Sequence, residues 1–527
     1  MKDIDVLISG AGPSGLMMGC QLALHNIPFR IIDKNEDHTT QSRALVVQAR
    51  SVEIFDQMGI AEKAIEQGKV AKAIGAFFNG KKAFRITVSD MGEGLTKFPF
   101  LLMLEQSHTE KILVDYLAER GYEVERKTEL LSFTQNNDEV TCTLQLADGN
   151  KETVNAKYVI GADGSHSVVR EQLKIPFVGS TYEESLFVLD CKAEVDLPND
   201  EMYLTFSDVA IGGFFPLTNG RWRILGNIPK ELEGKHELTF EDINKNFAQR
   251  TRMKVKLYDP QWISAYRSHH RYAASFRQGR CFLIGDAAHI HSPVGAQGMN
   301  TGLQDAYNLA WKLALVHGRK AKETLLDTYT AERIIIAKNL VRTTDRAFNI
   351  ATSGGIIKTF RLVVMPVALR IIAPIFEGVK SIRQLAFKLI SEIGINYRRS
   401  ILSQDATLGN FSDHAPKPGD RLPFITFIDS NGNETNIHEN LKGSMFHLFQ
   451  FIKSASMQPI ADIANEWSGI ISIETIPFNS NTRKLFQALG INNSGCYLIR
   501  PDGYIGYRTT KPNAVHFKSY LDRFFQS

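Results

Sequence analysis

The chain has few cysteines and almost no excess of charge of one sign. Its five cysteines are scattered, and no two have the C-x-x-C spacing of a zinc site or a redox dithiol. We therefore expect no metal site and no disulfide framework, and a reducing, cytoplasmic location. With 61 basic and 57 acidic residues, the net charge of +4 is too small to predict a nucleic-acid partner.

Long uninterrupted hydrophobic runs are also missing. The most apolar region is broken by charged residues and prolines, namely Arg361, Pro366, Arg370, Pro374 and Glu377 within residues 354–396. We therefore expect no span that crosses a bilayer, and a packed helical connector rather than a membrane-bound segment. The first residues lead directly into a predicted strand, so no cleavable signal is expected.

What the sequence does contain begins with a glycine turn near the N-terminus. The stretch "DVLISGAGPSGLMMGCQLALHN" predicts a strand, a tight turn and a helix. Gly10 permits the turn, Gly12 lets the backbone approach a pyrophosphate, and Gly15 allows close helix–strand packing. Asp33 ends the next strand, where its carboxylate can bind a ribose hydroxyl. The pattern predicts a dinucleotide site but fits NAD and FAD equally.

Two later stretches decide between these dinucleotides. "YVIGADGSHSVVR" places Asp163 after a strand, and "RCFLIGDAAH" ends in Gly285-Asp286, where the carboxylate can bind the hydroxyls of a sugar-like chain. The following "SPVGAQGMNTGLQD" predicts a second glycine turn, with room for a flat ring, and a helix start suited to an anionic ring. A dinucleotide with a ribityl chain and a flat ring at its second end is FAD.

The order G-x-G-x-x-G, then D-G, then G-D with P-x-G-x-Q-G-x-N resembles the single-component FAD-dependent aromatic hydroxylases. That family includes para-hydroxybenzoate hydroxylase, phenol hydroxylase and the polyketide-ring hydroxylases, and the resemblance covers most of residues 3–345. "SRALVVQARSVEIFDQMGI" and "LEQSHTEKIL" are similar to family segments that bring an arginine near the flavin and a glutamine to the ribityl chain. The motifs and the resemblance together give the expected cofactor-binding residues: Gly10, Gly12, Pro13, Ser14, Gly15, Asp33, Lys34, Arg43, Gln106, Asp163, Gly285, Asp286, Gly298, Met299 and Asn300.

The resemblance implies an α/β fold with a Rossmann-type FAD-binding domain, an inserted antiparallel β-sheet substrate domain and a C-terminal thioredoxin-like α/β domain. Alternating strand patterns support the inserted sheet, and a Pro/Gly-rich linker marks the last boundary. Because the tail has no C-x-x-C, a structural role such as dimerisation or stiffening is favoured for it. The expected divisions are 1–180 and 276–350 for the two FAD-binding parts, 181–275 for the sheet, 351–412 for a helical connector and 413–527 for the tail.

Aromatic residues of the inserted sheet are the expected pocket candidates. Tyr203 and Phe206 should point to opposite faces of their strand, so at most one of them should line the pocket. For any single candidate, packing in a core is the more frequent role. The four candidates are Tyr203, Phe206, Phe214 and Phe215.

The implied reaction is hydroxylation of an aromatic, phenolic or polycyclic substrate with NAD(P)H and O2 through a flavin C4a-hydroperoxide. Arg43, Pro293 and Gly295 are the residues expected at the reacting ring. His289 and His291 lie nearby, but a lone histidine is more often structural. The sequence does not decide between NADH and NADPH as the co-substrate, or between a monomer and a homodimer.

The alternatives are another FAD oxidoreductase of the same fold and a flavin-binding protein without turnover. Among FAD oxidoreductases of this fold, a flavin halogenase is less favoured than a hydroxylase, since "RWRILGNIP" lacks the first tryptophan of the halogenase W-x-W-x-I-P pattern. Consumption of NAD(P)H separates an enzyme from a non-catalytic flavin-binding protein.

Overall fold

A computed structural model describes residues 2–38, 44–232, 235, 237–292, 295–406, 411–429, 431–441, 444–454 and 456–526. The first part of the chain alternates strands with helices, as the glycine turn predicts. Its elements are β1 (Lys2–Ser9), α1 (Pro13–Leu24), β2 (Phe29–Asp33), β3 (Val46–Val47), α2 (Ala49–Gln57), α3 (Ala61–Gln67), β4 (Lys69–Val70), β5 (Ala73–Phe78), β6 (Lys81–Thr87), β7 (Leu102–Met103), α4 (Gln106–Ala118), β8 (Val124–Arg126), β9 (Glu129–Gln135), β10 (Val140–Gln145), β11 (Lys151–Gly161) and α5 (Val168–Gln172).

The middle of the chain builds a second sheet and then returns to the first. Its elements are β12 (Phe177–Val195), β13 (Glu201–Phe206), β14 (Ile211–Pro216), β15 (Trp222–Asn227), α6 (Phe240–Thr251), β16 (Val255–Ala273), β17 (Arg277–Gln278), β18 (Cys281–Leu283), β19 (His289–Ile290), α7 (Gly298–His317) and α8 (Asp327–Thr352).

The last part is a helical segment followed by a small α/β unit. Its elements are α9 (Gly355–Thr359), α10 (Met365–Gly378), α11 (Lys380–Ile390), β20 (Gln404–Asp405), β21 (Thr426–Ile428), β22 (Glu434–Asn436), β23 (Phe446–Ile452), α12 (Gln458–Glu466), β24 (Ile471–Pro477), α13 (Arg483–Ala488), β25 (Gly495–Ile499), β26 (Ile505–Thr509) and α14 (Ala514–Asp522).

The first sheet has the order β17-β18-β11-β1-β2-β8, with β10 and β9 added beside β11. Strand β1 is parallel to both β11 and β2, and β11 is parallel to β18. Helices α1 and α7 pack against each other, and apolar residues of α1, α7 and the central strands form one buried core. The carboxyl ends of parallel strands therefore meet at one edge, where a dinucleotide binds in such sheets.

The second sheet has the order β19-β16-β12-β15-β14-β13-β5-β6, and only the β13–β5 pair is parallel. Its hairpin of β5 and β6 comes from outside the predicted range 181–275. The turn of that hairpin, Asn79-Gly80, has φ of 51° and 75°. An Asn-Gly pair with both φ positive is a strong hairpin signal, but the parallel pairing with β13 is non-local and has no sequence signal of its own.

The C-terminal sheet has the order β20-β26-β25-β23-β24, in which β23 is parallel to β24 and antiparallel to β25. This is the predicted thioredoxin-like arrangement. All five cysteines of the chain are buried free thiols. Burial raises the pKa of the Cys496 thiol in β25 to about 12, so this thiol is unreactive at neutral pH.

The helical connector differs from expectation. Helix Gly355–Gly378, with a π-helical turn at Phe360–Val364, has 24 residues, and its most apolar 18-residue window has a mean hydropathy of 1.8. Within the described residues it is long and apolar enough to cross a membrane by length and composition. The expectation that no span reaches this length is wrong. The buried Arg361 donates hydrogen bonds to the carbonyls of Ile350 and Ser353, and the helix continues through Pro366, which follows the π-helical turn.

Candidate functional site

The glycine turn after β1 lies at the rim of a cavity. Gly10 has φ of 103°, and a Cβ there would overlap the backbone of Ala162, so only glycine fits. A Cβ on Gly15 would overlap the carbonyl of Gly10, whereas a Cβ on Gly12 would meet nothing within 4 Å. Gly12 therefore opens toward the cavity, where a pyrophosphate can approach the first turn of α1.

This cavity has a volume of about 360 Å³. It runs between the ends of β1 and β2, the start of α4 and the loop after β11. Six of the expected cofactor residues line it: Gly10, Gly12, Asp33, Lys34, Gln106 and Asp163. Lining residues that the sequence analysis missed include His38, Glu110, Arg126, Thr128 and His166.

Asp33 has a structural task in addition to the expected one. Its Oδ2 accepts a hydrogen bond of 2.7 Å from the Ala11 N–H, and its Oδ1 accepts one of 2.8 Å from the Asn35 N–H. The first bond fixes the glycine turn against β2. Because a carboxylate has about four acceptor positions, Asp33 can hold the turn and still bind a ribose hydroxyl.

Asp163 presents an unused acceptor. Its Oδ2 accepts a hydrogen bond of 3.2 Å from the Val169 N–H, while the buried Oδ1 has no partner among the described residues. Burial raises the pKa of this carboxyl. A buried oxygen without a partner is costly, so a hydroxyl or N–H of a bound ligand would stabilise it. The side chain therefore fits a hydroxyl-rich cofactor.

Arg170 joins the second and third motifs, a link that the sequence analysis did not predict. It lies in α5, whose N-cap Ser167 accepts a hydrogen bond from its backbone N–H. Its guanidinium donates to the carbonyl of Ser165 at 2.7 Å and to that of Ala287 at 3.1 Å. Those carbonyls follow Asp163 and Asp286 in the chain, so one side chain holds both cofactor loops together.

Ser14 packs between the first and third motifs. A Cβ on Gly285, which has φ of 57°, or on Gly302 would overlap the Ser14 hydroxyl. The start of α1 therefore touches the strand end before Asp286 and the first turn of α7. The exposed side chain of Asp286 stands beside this contact.

The start of α7 is fixed by Asn300, whose side chain is fully buried. Its Oδ1 accepts a 2.8 Å hydrogen bond from the Gln48 N–H, and its Nδ2 donates to the carbonyls of Val46 and Ala296 at 2.8 and 3.0 Å. The Asn300 side chain therefore positions the Gly295–Ala296 turn. The backbone N–H groups of Gly298 and Met299 form the positive end of the helix. Pro293 and Arg43 lie outside the described residues.

Glu392 lies behind the first turn of α7. Its two carboxyl oxygens accept hydrogen bonds from Thr301 Oγ1 at 2.9 Å and from Gln304 Nε2 at 2.5 Å. Burial raises the pKa of this carboxyl to about 8. Glu392 also lines a larger cavity of about 750 Å³ between α7, α8 and α11. Of the described turn residues in the three glycine motifs, this cavity is lined by Gln297 alone. We assign the adenosine end of the cofactor to the smaller cavity, because the first glycine turn and the Asp163-Gly164 turn meet there.

Of the two histidines considered as acid or base, His289 is buried and His291 is partly buried. His289 Nε2 lies 2.7 Å from Asp305 Oδ2, and Asp305 Oδ1 accepts a 2.6 Å hydrogen bond from Arg333 Nε. His291 Nδ1 donates to the carbonyl of Ser292 at 2.7 Å. Burial lowers the pKa of His291 to about 4, so it is neutral at physiological pH. No group of metal-ligating side chains occurs within the described ranges.

The four aromatic candidates separate onto two faces of the second sheet. Tyr203 and Phe214 are fully buried in the core beneath α6, so they pack on the other side of the sheet from the α7 turn. Phe206 stacks on Phe78 in a cluster beneath α10. Tyr203 and Phe206 thus face opposite ways, as predicted. Phe215 alone shares an apolar cluster with Ala296 of the α7 turn.

Comparison with known proteins agrees with this arrangement. A family model described as an FAD binding domain matches residues 3–344, and one described as the C-terminal domain of aromatic-ring hydroxylases matches residues 415–527. The chain belongs to the FAD-dependent aromatic-ring hydroxylases.

Relatives of this hydroxylase include two curated monooxygenases. It is 32% identical over 512 residues to 6-methylpretetramide 4-monooxygenase of Streptomyces rimosus, covering 95% of this chain and 90% of that one. It is 31% identical over 430 residues to pentachlorophenol 4-monooxygenase of Sphingobium chlorophenolicum, covering 80% and 76%. The solved structure of an anhydrotetracycline hydroxylase from Streptomyces rimosus superposes with a TM-score of 0.78 at 26% identity over 99% of both chains.

The predicted family, fold class, cofactor and reaction are confirmed. The protein is a flavoprotein monooxygenase that uses FAD, with NAD(P)H and O2 as co-substrates, to hydroxylate an aromatic compound. The prediction of a small-molecule aromatic substrate is confirmed at the level of this class. The roles of individual residues stay predictions.

Proposed function

We propose that this hydroxylase acts on a hydrophobic phenolic or polycyclic ring held between the Gly295–Ala296 turn and the sheet face that carries Phe215. The observation that carries the proposal is the shared apolar cluster of Phe215 and Ala296, beside the start of α7. This cluster also contains Met202, Leu217 and Phe376. A pocket built on such a face selects flat apolar substrates.

The proposed roles of the cofactor residues follow from their positions. The open backbone at Gly12 and the first turn of α1 would hold the pyrophosphate. Asp33 and Asp163 would bind hydroxyls at the adenosine end, and Gln106 and Asp286 would bind the ribityl chain. When bound, FAD supplies the reduction and activation of O2. The protein works in the reducing cytoplasm, since its five thiols are all free.

The proposed task of the α7 turn is to hold negative charge at the flavin ring. The N–H groups of Gly298 and Met299 lie at the positive end of a 20-residue helix. Gly295, with φ of 88°, forms the turn before this helix, and a Cβ on Gly298 would meet the His291 ring at 3.1 Å. Together with Arg43 and Pro293, these residues would set the position of ring and substrate, while the apolar cluster excludes water.

The names of the two relatives point to aromatic substrates of different size. The experiment that tests the proposal therefore compares small and large aromatic compounds. The FAD-loaded enzyme is mixed with NADH or NADPH and a panel of monocyclic phenols and three- or four-ring hydroxyarenes. We expect one class to raise NAD(P)H oxidation at least about tenfold, which is about 1.4 kcal/mol of barrier, with a product one oxygen atom heavier. If no aromatic compound stimulates oxidation or gains oxygen, the proposal fails.

A matched pair of variants tests the pocket. Phe215→Ala removes a ring from the cluster with Ala296, so it should raise the KM for the aromatic substrate and divert NAD(P)H to peroxide. Phe84→Ala removes a ring from the same sheet in the cluster beneath α10. Equal effects of both changes on KM, at equal FAD content, would contradict the assignment of Phe215.

A further inference from the structure

The helices that cover the second sheet carry a large exposed apolar surface. We call residues 355–390 the cap; it contains α9, the π-helical turn, α10 and α11. Of the 20 exposed large hydrophobic residues in the described chain, 13 lie in this cap. They include Ile356 (89% exposed), Val363 (61%), Ile371 (63%) and Leu389 (71%). Contiguous surfaces of this kind on a soluble fold mark a site of interaction.

The opposite face of the cap is attached to the protein. Leu362, Met365 and Leu369 pack against the cluster that contains Phe78 and Phe206. The cap is therefore apolar on both sides, one turned to the sheet and one to solvent. Because Leu362, Met365 and Leu369 hold the middle of this helix against the sheet, we expect its free face to enter the headgroup and acyl boundary while its backbone hydrogen bonds stay within the helix.

The charge of the cap identifies the occupant. Between residues 355 and 390 the sequence has six basic residues and one acidic residue. Arg370 and Lys388 are exposed beside the apolar side chains, whereas Lys380 and Arg383 pair with Glu93 and Asp90 next to the cap. The single carboxylate, Glu377, accepts a hydrogen bond from the Thr87 N–H and is thereby directed toward the sheet. An apolar surface with basic residues at its edge is complementary to an anionic lipid surface.

A second copy of the chain fits this surface less well. In a symmetric dimer the same patch meets itself, so basic residues would face basic residues across the contact. We propose that the cap docks this hydroxylase peripherally on anionic membranes. The proposal does not depend on the substrate, although the inner side of the cap, through Phe376, also contacts the Phe215 cluster.

The test is co-sedimentation of the full-length, FAD-loaded protein with vesicles of phosphatidylcholine alone or mixed with phosphatidylglycerol. We expect binding to the mixed vesicles at low salt, with weaker binding at high salt and to the neutral vesicles. Ile371→Asp, and Arg370→Glu combined with Lys388→Glu, should each lower the partition coefficient at least about tenfold.

Two control substitutions lie far from the cap. Val515→Asp changes an apolar residue that is 81% exposed in α14, and Lys511→Glu reverses an exposed charge; neither should alter vesicle binding. FAD content checks the folding of each variant, and Leu389→Asp in α11 is the second apolar change. Absence of binding to the mixed vesicles overturns the proposal. A concentration-dependent dimer that Ile371→Asp abolishes, without vesicle binding, would overturn it in favour of a subunit interface.

Discussion

Arg500 of the C-terminal domain makes two hydrogen bonds to Glu332 of α8, from Nη1 to Oε1 at 2.6 Å and from Nη2 to Oε2 at 3.0 Å. Both side chains are fully buried. Lys312 and Asp502 complete the group, and the nearby positive charges hold the pKa of Glu332 well below its usual range despite burial. The C-terminal domain is therefore fixed to the FAD-binding domain by a buried ionic network.

Breaking this network from one side should be strongly destabilising. Arg500→Met leaves the carboxylates of Glu332 and Asp502 buried without their main partner, which costs about 3–5 kcal/mol. We expect a large drop in the denaturant midpoint and loss of the domain contact, measured by equilibrium unfolding and limited proteolysis. In the matched control, Arg398→Met breaks a pair with Asp420 in which Arg398 is 52% exposed, and the loss should stay within about 1 kcal/mol. Similar losses in both variants would contradict the role given to Arg500.

The geometry of the glycine turns could be predicted from the sequence because each turn depends on local rules. Gly10 needs a positive φ, and Gly285 must leave room for Ser14. A glycine at a strand end therefore marks each of these positions in the sequence. The sheet was predictable only in part. The alternation of side chains along a strand predicts that Tyr203 and Phe206 face opposite ways. Because helices cover both faces of this sheet, the same alternation does not identify the face that meets the flavin.

The connector was misread for a different reason. Prolines and charges usually interrupt a helix, and here the context removes that effect. Arg361 turns back to two carbonyl groups, Pro366 follows the π-helical turn at Phe360–Val364, and Pro374 lies inside α10 without ending it. Glu392 and the link from Arg170 to Ala287 were missed because Thr301 and Ala287 are distant in sequence from these side chains, and no local pattern marks such pairs.

The thiols of the native protein should be unreactive. All five cysteines are buried, and burial raises the pKa of Cys142, Cys191 and Cys496 to about 12. We expect Ellman's reagent to detect no rapidly reacting thiol in the folded enzyme and five after denaturation. Turnover of Cys496→Ala should equal that of the parent. A fast-reacting thiol in the native state, or loss of turnover with the fold retained, would indicate a redox role for the C-terminal domain.

The contact between Ser14 and Gly302 predicts a compensating pair of changes. Gly302→Ala places a Cβ onto the Ser14 hydroxyl, and overpacking of this kind costs about 1–3 kcal/mol. FAD affinity should fall with it, because the same contact joins α1 to the Asp286 strand end. In a Ser14→Gly background the additional loss from Gly302→Ala should be smaller. Fluorescence titration with FAD gives the four affinities, and additive effects would contradict the contact.

Asp286 should contribute to cofactor binding more than to folding. Its side chain is exposed at the end of a buried strand, so Asp286→Ala leaves the core intact. Loss of charge-assisted hydrogen bonds to ribityl hydroxyls should weaken FAD binding by about 1.5–3 kcal/mol for each bond. Asp208→Ala, which removes an exposed partner of Arg252, is the control and should leave FAD binding unchanged. Unchanged FAD affinity in Asp286→Ala would exclude the proposed role.

The buried Glu392 predicts a pH dependence of stability with a defined sign. The pKa of this carboxyl is about 8 in the folded protein and about 4.5 when unfolded, so the folded state keeps a proton that the unfolded state releases. The contribution of Glu392 to the free energy of unfolding is therefore fully present below about pH 4.5 and is lost as the pH rises toward 8. Histidines such as the partly buried His291, whose pKa is lowered to about 4 by desolvation, change the total in the opposite direction.

The variant Glu392→Gln isolates this one group, because its neutral amide can still pair with Thr301 and Gln304 but does not titrate. The free energy of unfolding of the variant minus that of the parent should increase by a few kcal/mol between pH 5 and pH 8. Denaturant unfolding at several pH values measures this difference while the histidine contributions cancel. Glu466→Gln, which changes a half-exposed partner of Lys518, should show no such increase. A difference that stays flat or falls with pH would mean that Glu392 is ionised in the folded enzyme and holds the start of α7 as a carboxylate.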